Sequence, residues 1–110
     1  MNNVSVNEEV LKRVPMPKEY HEAVKEFASD DEKGLPEFYG EIIKNFILKR
    51  EENKGSDFRY LVSPSSSKYV SLWINKEILD IVKSLAEADK VSANRVIYTA
   101  IQEFIEQVCA

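Results

Sequence analysis

The sequence predicts a mainly α-helical fold with a small two-stranded antiparallel β-ribbon. Two copies of a strand–helix–helix unit are expected to form one intertwined domain. Two observations predict this architecture. The stretch KYVSLWINKE, residues 68–77, alternates in character from residue to residue, as a strand with one buried face does. The strand and the two amphipathic helices after it also recur 58 residues earlier in the chain without a gap.

The two faces of the predicted second strand differ in chemistry. One face is aliphatic and suits a close-packed core, whereas the other carries a hydroxyl group and two large aromatic rings. The aliphatic face consists of Val70, Leu72 and Ile74. The other face consists of Tyr69, Ser71 and Trp73. We expect the aliphatic face to be buried and the second face to be exposed.

Two helices follow this strand. Asn75 is predicted to cap the first helix, KEILDIVKSLAEADK, and Ser92 is predicted to cap the second. Both segments place apolar residues at helical spacing, so each helix has one face for the core. Val96, Ile97, Ala100, Ile101, Phe104, Ile105 and Val108 form this face in the second helix.

The first copy matches the second with nine identities in the ungapped register, among them Lys18 with Lys76 and Phe46 with Phe104. Pro15 and Pro17 predict a short or irregular first strand, because proline cannot donate to a β-ladder. The expected organisation is an N-terminal arm (1–10), a first repeat (11–50), a linker (51–68) and a second repeat (69–110). Phe58 and Tyr60 indicate that the middle of the linker packs on the surface or adds a short strand.

Composition excludes several classes of function. A chain of 110 residues with one Cys, Cys109, fits one domain without a disulfide framework or a cysteine-based metal site. No apolar run approaches membrane-spanning length, and the N-terminal sequence lacks the features of a signal peptide, so a cytoplasmic location is expected. His21 is the only histidine, and no nucleophile, catalytic base or glycine-rich phosphate loop is recognisable. We therefore expect no enzyme activity, no cofactor and no metal.

One strand with two helices cannot bury its own apolar faces, and pairing two such units solves this problem. The segment YVSLWINKEILDIVKSLAEADKVSANRVIYTAIQEF resembles the ribbon-helix-helix DNA-binding proteins, and among them the Arc-type repressors. The resemblance covers residues 69–108 and extends, through the internal repeat, to residues 11–50. In that family two chains usually supply the two units. This sequence resembles a tandem version in which one chain forms the pseudo-dimer.

The resemblance implies that the ribbon lies in the major groove of double-stranded DNA and that its outward side chains read base edges. It assigns this role to Tyr69, Ser71 and Trp73 on the second strand, and to Leu11, Arg13 and Pro15 on the first. It also places the N-terminus of each second helix against a phosphate. The implied phosphate contacts are Ser92, Ala93, Asn94 and Arg95 in the second copy, Gly34, Leu35, Pro36 and Glu37 in the first, and the ribbon lysines Lys12, Lys68 and Lys76.

Charge and side-chain chemistry modify this expectation. The formal net charge of −4 argues against a nucleic-acid partner, but the lysines cluster in or beside the predicted ribbon. Glu37 occupies the position that Arg95 has in the second copy. An acid there repels phosphate, whereas Arg95 suggests an external anionic partner. We therefore expect the two repeats to contribute unequally, with the second repeat binding DNA more strongly.

The predicted function is sequence-specific DNA binding by a prokaryotic or viral transcriptional regulator, most simply a repressor, or by an accessory protein of a plasmid or mobile element. The chain is expected to be a monomer that contains a pseudo-dimer, and several copies could occupy adjacent DNA sites. One alternative is a protein-interaction module that keeps the fold and uses Tyr69 and Trp73 as interface residues. Another is an antitoxin, although a toxin-wrapping tail after Val108 is not expected.

Overall fold

The computed structural model describes residues 8–53 and 58–109 of the chain. Within these residues the fold is mainly helical, with four helices and one two-stranded antiparallel sheet, as the sequence predicts at this level. The elements are β1 (Glu9–Met16), α1 (Lys18–Asp30), α2 (Leu35–Glu52), β2 (Lys68–Asn75), α3 (Lys76–Asp89) and α4 (Ala93–Val108). None of the helices in this described part is long and apolar enough to span a bilayer.

Side-chain caps fix the starts of both helices that follow β2. The Asn75 Oδ1 atom accepts hydrogen bonds from the backbone N–H groups of Glu77 (2.9 Å) and Ile78 (3.3 Å) at the start of α3. The Ser92 Oγ atom accepts from the backbone N–H of Arg95 (3.2 Å) at the start of α4. Both predicted caps are therefore confirmed, and each satisfies N–H groups that the first helical turn leaves unpaired.

The sheet pairs β1 with β2 so that Arg13 lies opposite Ser71 at its centre. The inner face of the sheet contacts the helices. Val14, Met16, Leu72 and Ile74 on this face are buried, and Val10 and Val70 are partly buried against the core. The predicted burial of the aliphatic trio is thus confirmed for Leu72 and Ile74, and Val70 packs at the margin of the core.

β1 is not shortened by its proline, which corrects the prediction of a short or irregular first strand. Both strands contain eight residues, and Pro15 lies opposite Tyr69. The carbonyl of Glu8 accepts from the N–H of Lys76. The backbone N–H and C=O groups of even-numbered β1 residues therefore point toward β2, and those of odd-numbered residues point to the outer edge of the sheet. The Pro15 carbonyl accepts from the Ser63 hydroxyl on that outer edge (2.5 Å). Pro15 therefore occupies a position at which the ladder needs no N–H donor.

The helices cover one side of the sheet and enclose the core. α2 packs mainly against β2, and α4 packs against β1. Aromatic side chains join the helices near their ends, with Phe27 and Phe38 both in edge-to-face contact with Phe104 (5.6 Å between ring centroids). α3 begins 58 residues after α1, and α4 begins 58 residues after α2.

The connection between α2 and β2 is anchored but forms no strand within residues 58–67. Tyr60 is buried, and its ring packs against Phe58 and Phe46. The boundaries differ slightly from prediction, because β1 begins inside the expected N-terminal arm and α2 continues to Glu52. Residues 1–7 of that arm and residues 54–57 of the linker lie outside the described residues.

Candidate nucleic-acid interface

The outward face of the sheet carries the residues that sequence analysis assigned to base reading. Three of them are large and exposed: Leu11 (46% exposed), Tyr69 (59%) and Trp73 (51%). Arg13 and Ser71 between them are also exposed. The period of two residues in a strand directs them outward, because the helices take up the alternate positions. We call Leu11, Arg13, Pro15, Tyr69, Ser71 and Trp73 the ribbon face.

The ribbon face is organised as three cross-strand pairs. Leu11 lies opposite Trp73, Arg13 opposite Ser71, and Pro15 opposite Tyr69. Since the odd-numbered residues of β1 point their backbone groups away from β2, all three are non-hydrogen-bonded pairs, whose Cα atoms are only about 4.5 Å apart. Side chains in such pairs lie side by side. The face is therefore a narrow continuous surface.

Charge on the ribbon face is concentrated toward one end. The Arg13 guanidinium lies over the Tyr69 ring, 5.4 Å from its centroid, which is a cation–π contact. Arg13 is the only charged side chain in the three pairs, and Leu11 with Trp73 at the other end is apolar apart from the indole N–H. The face thus has a basic half at Tyr69 and an apolar half at Trp73.

The three ribbon lysines do not lie on the ribbon face. Lys12 lies opposite the buried Leu72, on the helix side of the sheet, and is half-buried. Lys68 is exposed opposite Met16, again on the helix side. Lys76 begins α3 and pairs with Asp80 across one helical turn, with 3.5 Å between Nζ and Oδ2. These lysines can place their ammonium groups at the edges of the ribbon only by extending their long, flexible side chains.

Arg95 has internal hydrogen-bond partners, which give it a role that the sequence did not indicate. Its Nη2 donates to the carbonyl of Tyr60 (2.8 Å), and its Nε donates weakly to the carbonyl of Leu61 (3.4 Å). The N–H of Leu61 in turn donates to Thr99 Oγ1 on α4 (2.9 Å). The guanidinium therefore fastens the linker to the start of α4. Ser92, Ala93 and Asn94 at the same helix start are the other candidate phosphate contacts.

The start of α2 is an acidic region. Gly34 is exposed and caps the helix without a side-chain hydrogen bond. Glu9, Glu37 and Glu41, together with Lys44, contribute to the lining of a 540 Å³ cleft between this helix and the end of the ribbon. Lys33 neutralises Glu41 through two contacts of 2.8 and 2.9 Å. Among the described residues, Glu9 and Glu37 are therefore the carboxylates near this helix start that no lysine contact of this kind neutralises, and the unequal DNA binding of the two halves stays a prediction.

Sequence analysis missed the polar network under the linker. The Tyr60 hydroxyl donates to Asp89 Oδ2 (2.5 Å), and Asp89 lies 3.5 Å from Arg50 Nε. The Arg50 guanidinium covers the Phe58 ring, 4.8 Å from its centroid. Burial, assisted by the bond to Asp89, raises the pKa of Tyr60 to about 12. The aromatic residues of the linker indicated an anchored centre, but nothing in their spacing identified Arg50 or Asp89 as partners.

No cluster of three or more His, Cys, Asp or Glu side chains that could hold a metal is found in residues 8–53 and 58–109. His21 packs on Tyr39, and its Nδ1 lies 2.7 Å from the Tyr39 hydroxyl. Burial, with a smaller effect of Lys25, lowers the pKa of His21. This pair fills space between α1 and α2, and its contacts are those of a structural histidine.

Comparison with known proteins gave no match to a family model, to a characterised protein or to a solved structure.

Proposed function

We propose that this chain is a tandem ribbon-helix-helix protein that binds double-stranded DNA through its β-ribbon, as a transcriptional regulator or as an accessory protein of a plasmid or mobile element. The observation that carries the proposal is the ribbon face. It is an exposed, narrow strip on a two-stranded antiparallel sheet, and the described helices all pack on the opposite side. A burial pattern of this kind leaves the strip available to a partner.

Three relations between the halves support the tandem arrangement. Corresponding helices begin 58 residues apart, which is also the offset of the sequence repeat. The central pair of the sheet, Arg13 and Ser71, is separated by the same 58 residues, so an approximate two-fold axis would pass between them. Each second helix packs against the strand of the other half. A ribbon formed by two intertwined units requires all three relations.

The dimensions of the ribbon suit the major groove. Two strands about 4.8 Å apart, with their outward side chains, fit a groove about 12 Å wide. In this position Arg13 would donate to a base edge, Ser71 could donate or accept, and Tyr69, Trp73 and Leu11 would lie against the groove floor. Lys68 and Lys76 at the ribbon ends, and the free N–H groups of Ala93 and Asn94, would contact phosphates.

A second candidate is a protein-interaction module with the same fold. The observation in its favour is the apolar area of the ribbon face, where three large exposed side chains accompany a single charge. Exposed aromatic residues of this kind are enriched at the centres of protein interfaces. The two functions use the same surface and can be separated by one experiment.

The experiment follows the fluorescence of Trp73, the only Trp of the chain. In the free protein its emission should be red-shifted and readily quenched by iodide, because the indole is half-exposed. Addition of a random pool of 20-base-pair duplexes at low salt should protect it from acrylamide, a neutral quencher that, unlike iodide, leaves the ionic strength low. The change Arg13→Ala should weaken this effect, whereas Lys83→Ala, which removes an exposed charge from α3, should not. An indole that stays fully quenchable at saturating duplex would refute DNA binding and favour the interaction module.

A further inference from the structure

We infer that the ribbon face selects DNA sites by the C5-methyl groups of thymine at its Leu11–Trp73 end and by a guanine at Arg13, whose guanidinium lies toward the Tyr69 end, so that the recognised site is directional. This inference rests on the proposed function and specifies the base sequence class that the surface fits. It follows from the chemistry of the three cross-strand pairs and from the position of the single charge.

The apolar half of the ribbon face has one good partner among base edges. Leu11 and Trp73 face each other in a close pair and are about half-exposed. Leucine offers no hydrogen bond, and the indole offers one donor. The thymine methyl is the only apolar group that unmodified base pairs present in the major groove. The donors and acceptors of any other base edge would lose their hydrogen bonds to water at this end and gain no protein hydrogen bonds in exchange, which is unfavourable.

The other half of the ribbon face suits guanine. The Arg13 guanidinium is held over the Tyr69 ring, 5.4 Å away, rather than free in solvent. A held guanidinium loses less conformational entropy on binding, and its fork matches the O6 and N7 acceptors of guanine. Because Tyr69 belongs to the pair beyond Arg13 and Ser71, the charge is displaced from the centre of the ribbon, away from Trp73.

The two ends are far enough apart to read different base pairs. Leu11 and Arg13 are two residues apart along β1, which corresponds to about 7 Å, and the Arg13 guanidinium lies over Tyr69, whose pair is about 13 Å from the Leu11–Trp73 pair. The methyl-contacting and guanine-contacting groups are therefore about two to four base-pair steps of 3.4 Å apart. In the 58-residue repeat, Arg13 corresponds to Ser71 and Leu11 corresponds to Tyr69, so the two-fold relation of the backbone is not kept by the reading side chains. A palindromic site would therefore fit less well than a directional one.

The test compares duplexes that differ only in the methyl group. The native protein is titrated at low salt with alternating 20-base-pair A·T duplex and with the same duplex containing uracil in place of thymine. Burial of one methyl group corresponds to about a fourfold gain in affinity, so two contacted methyls give about 15-fold. We expect the thymine duplex to bind about 15-fold more tightly. Replacing cytosine by 5-methylcytosine in an alternating G·C duplex should increase affinity in the same direction.

Variants assign the effect to the ribbon face. Trp73→Ala should reduce the thymine-to-uracil ratio to below threefold, whereas Leu48→Ala, at an exposed apolar residue of α2, should leave it unchanged. Arg13→Ala should keep the ratio and should lower affinity for the G·C duplexes more than for the A·T duplexes, because only the former contain guanine. Equal affinity of the native protein for the thymine and uracil duplexes would overturn this inference and leave DNA binding intact. Failure to bind any of the four duplexes would overturn the proposed function and this inference together.

Discussion

The linker should stabilise the fold through Asp89, and the change Asp89→Ala tests this. Asp89 is the last residue of α3, accepts a hydrogen bond from Tyr60, and lies 3.5 Å from Arg50. The Arg50 and Asp89 side chains are only 14% and 24% exposed. Removal of the carboxylate leaves a mostly buried guanidinium without its counter-charge and leaves the Tyr60 hydroxyl without its acceptor.

The expected loss can be estimated from these contacts. Breaking a buried ion pair by removal of one partner costs about 3–5 kcal/mol. Two features reduce this figure, because Asp89 is partly exposed and an acid at a helix C-terminus is disfavoured by up to about 1 kcal/mol. We therefore expect the free energy of unfolding to fall by about 3 kcal/mol, and the melting temperature to fall by roughly 12 °C.

Asp80 on the same helix is a matched control. It lies 3.5 Å from Lys76, the same separation as between Asp89 and Arg50, but its side chain is 59% exposed and that of Lys76 is 52% exposed. An exposed pair of this kind contributes about 0–0.5 kcal/mol, so Asp80→Ala should change stability very little. Urea unfolding followed by circular dichroism measures both variants, with the midpoint shifting at constant slope. Equal losses for the two variants would refute the assignment of the linker network.

Three further predictions concern assembly, pH and Arg95. Because both strands of the ribbon belong to one chain, sedimentation at micromolar concentration should give a monomer of 12.7 kDa, and a stable dimer would contradict the tandem arrangement. Burial raises the pKa values of Tyr60 and Tyr98 to about 12, above the ordinary value of 10. The stability that these two neutral hydroxyl groups contribute is therefore complete below pH 10. It should be lost as the pH rises toward 12, which unfolding measurements at alkaline pH would detect. Arg95→Ala should lower stability by about 1–2 kcal/mol, because charged hydrogen bonds to the linker are lost. It should leave the slope of log K against log salt for duplex binding unchanged, whereas a flattening by about 0.9 would restore Arg95 as a phosphate contact.

Local patterns in the sequence predicted the elements and the two faces of the sheet. The alternation from Tyr69 to Ile74 is sufficient to separate a buried from an exposed face, since a strand has a period of two. Asn75 and Ser92 act within their own helical turns, so their capping roles can be predicted from sequence. The exposure of Trp73 follows from the same local rule.

Contacts between distant residues could not be predicted in the same way. Arg95 donates to carbonyls more than thirty residues earlier in the chain, and no spacing rule connects it with Tyr60. The effect of Pro15 on β1 depends on whether its backbone groups point toward β2 or toward the outer edge of the sheet. The pairing register of the two strands decides this direction, and the residue type does not. The sequence pattern of a helix start also cannot show whether an arginine there binds a ligand or donates hydrogen bonds to a linker.

The hydrogen bonds from Arg95 to the linker affect the orientation in which a single chain would bind DNA. In a two-chain ribbon both helix starts are equivalent, and either orientation on a site has the same energy. Here one start is fastened to Tyr60 and Leu61, and the other faces Glu9 and Glu37. The ribbon face is unequal in the same sense, with its charge at one end. In the proposed tandem arrangement, each half of the single chain has its own residues, and a protein with unequal halves can bind a directional site in a single orientation.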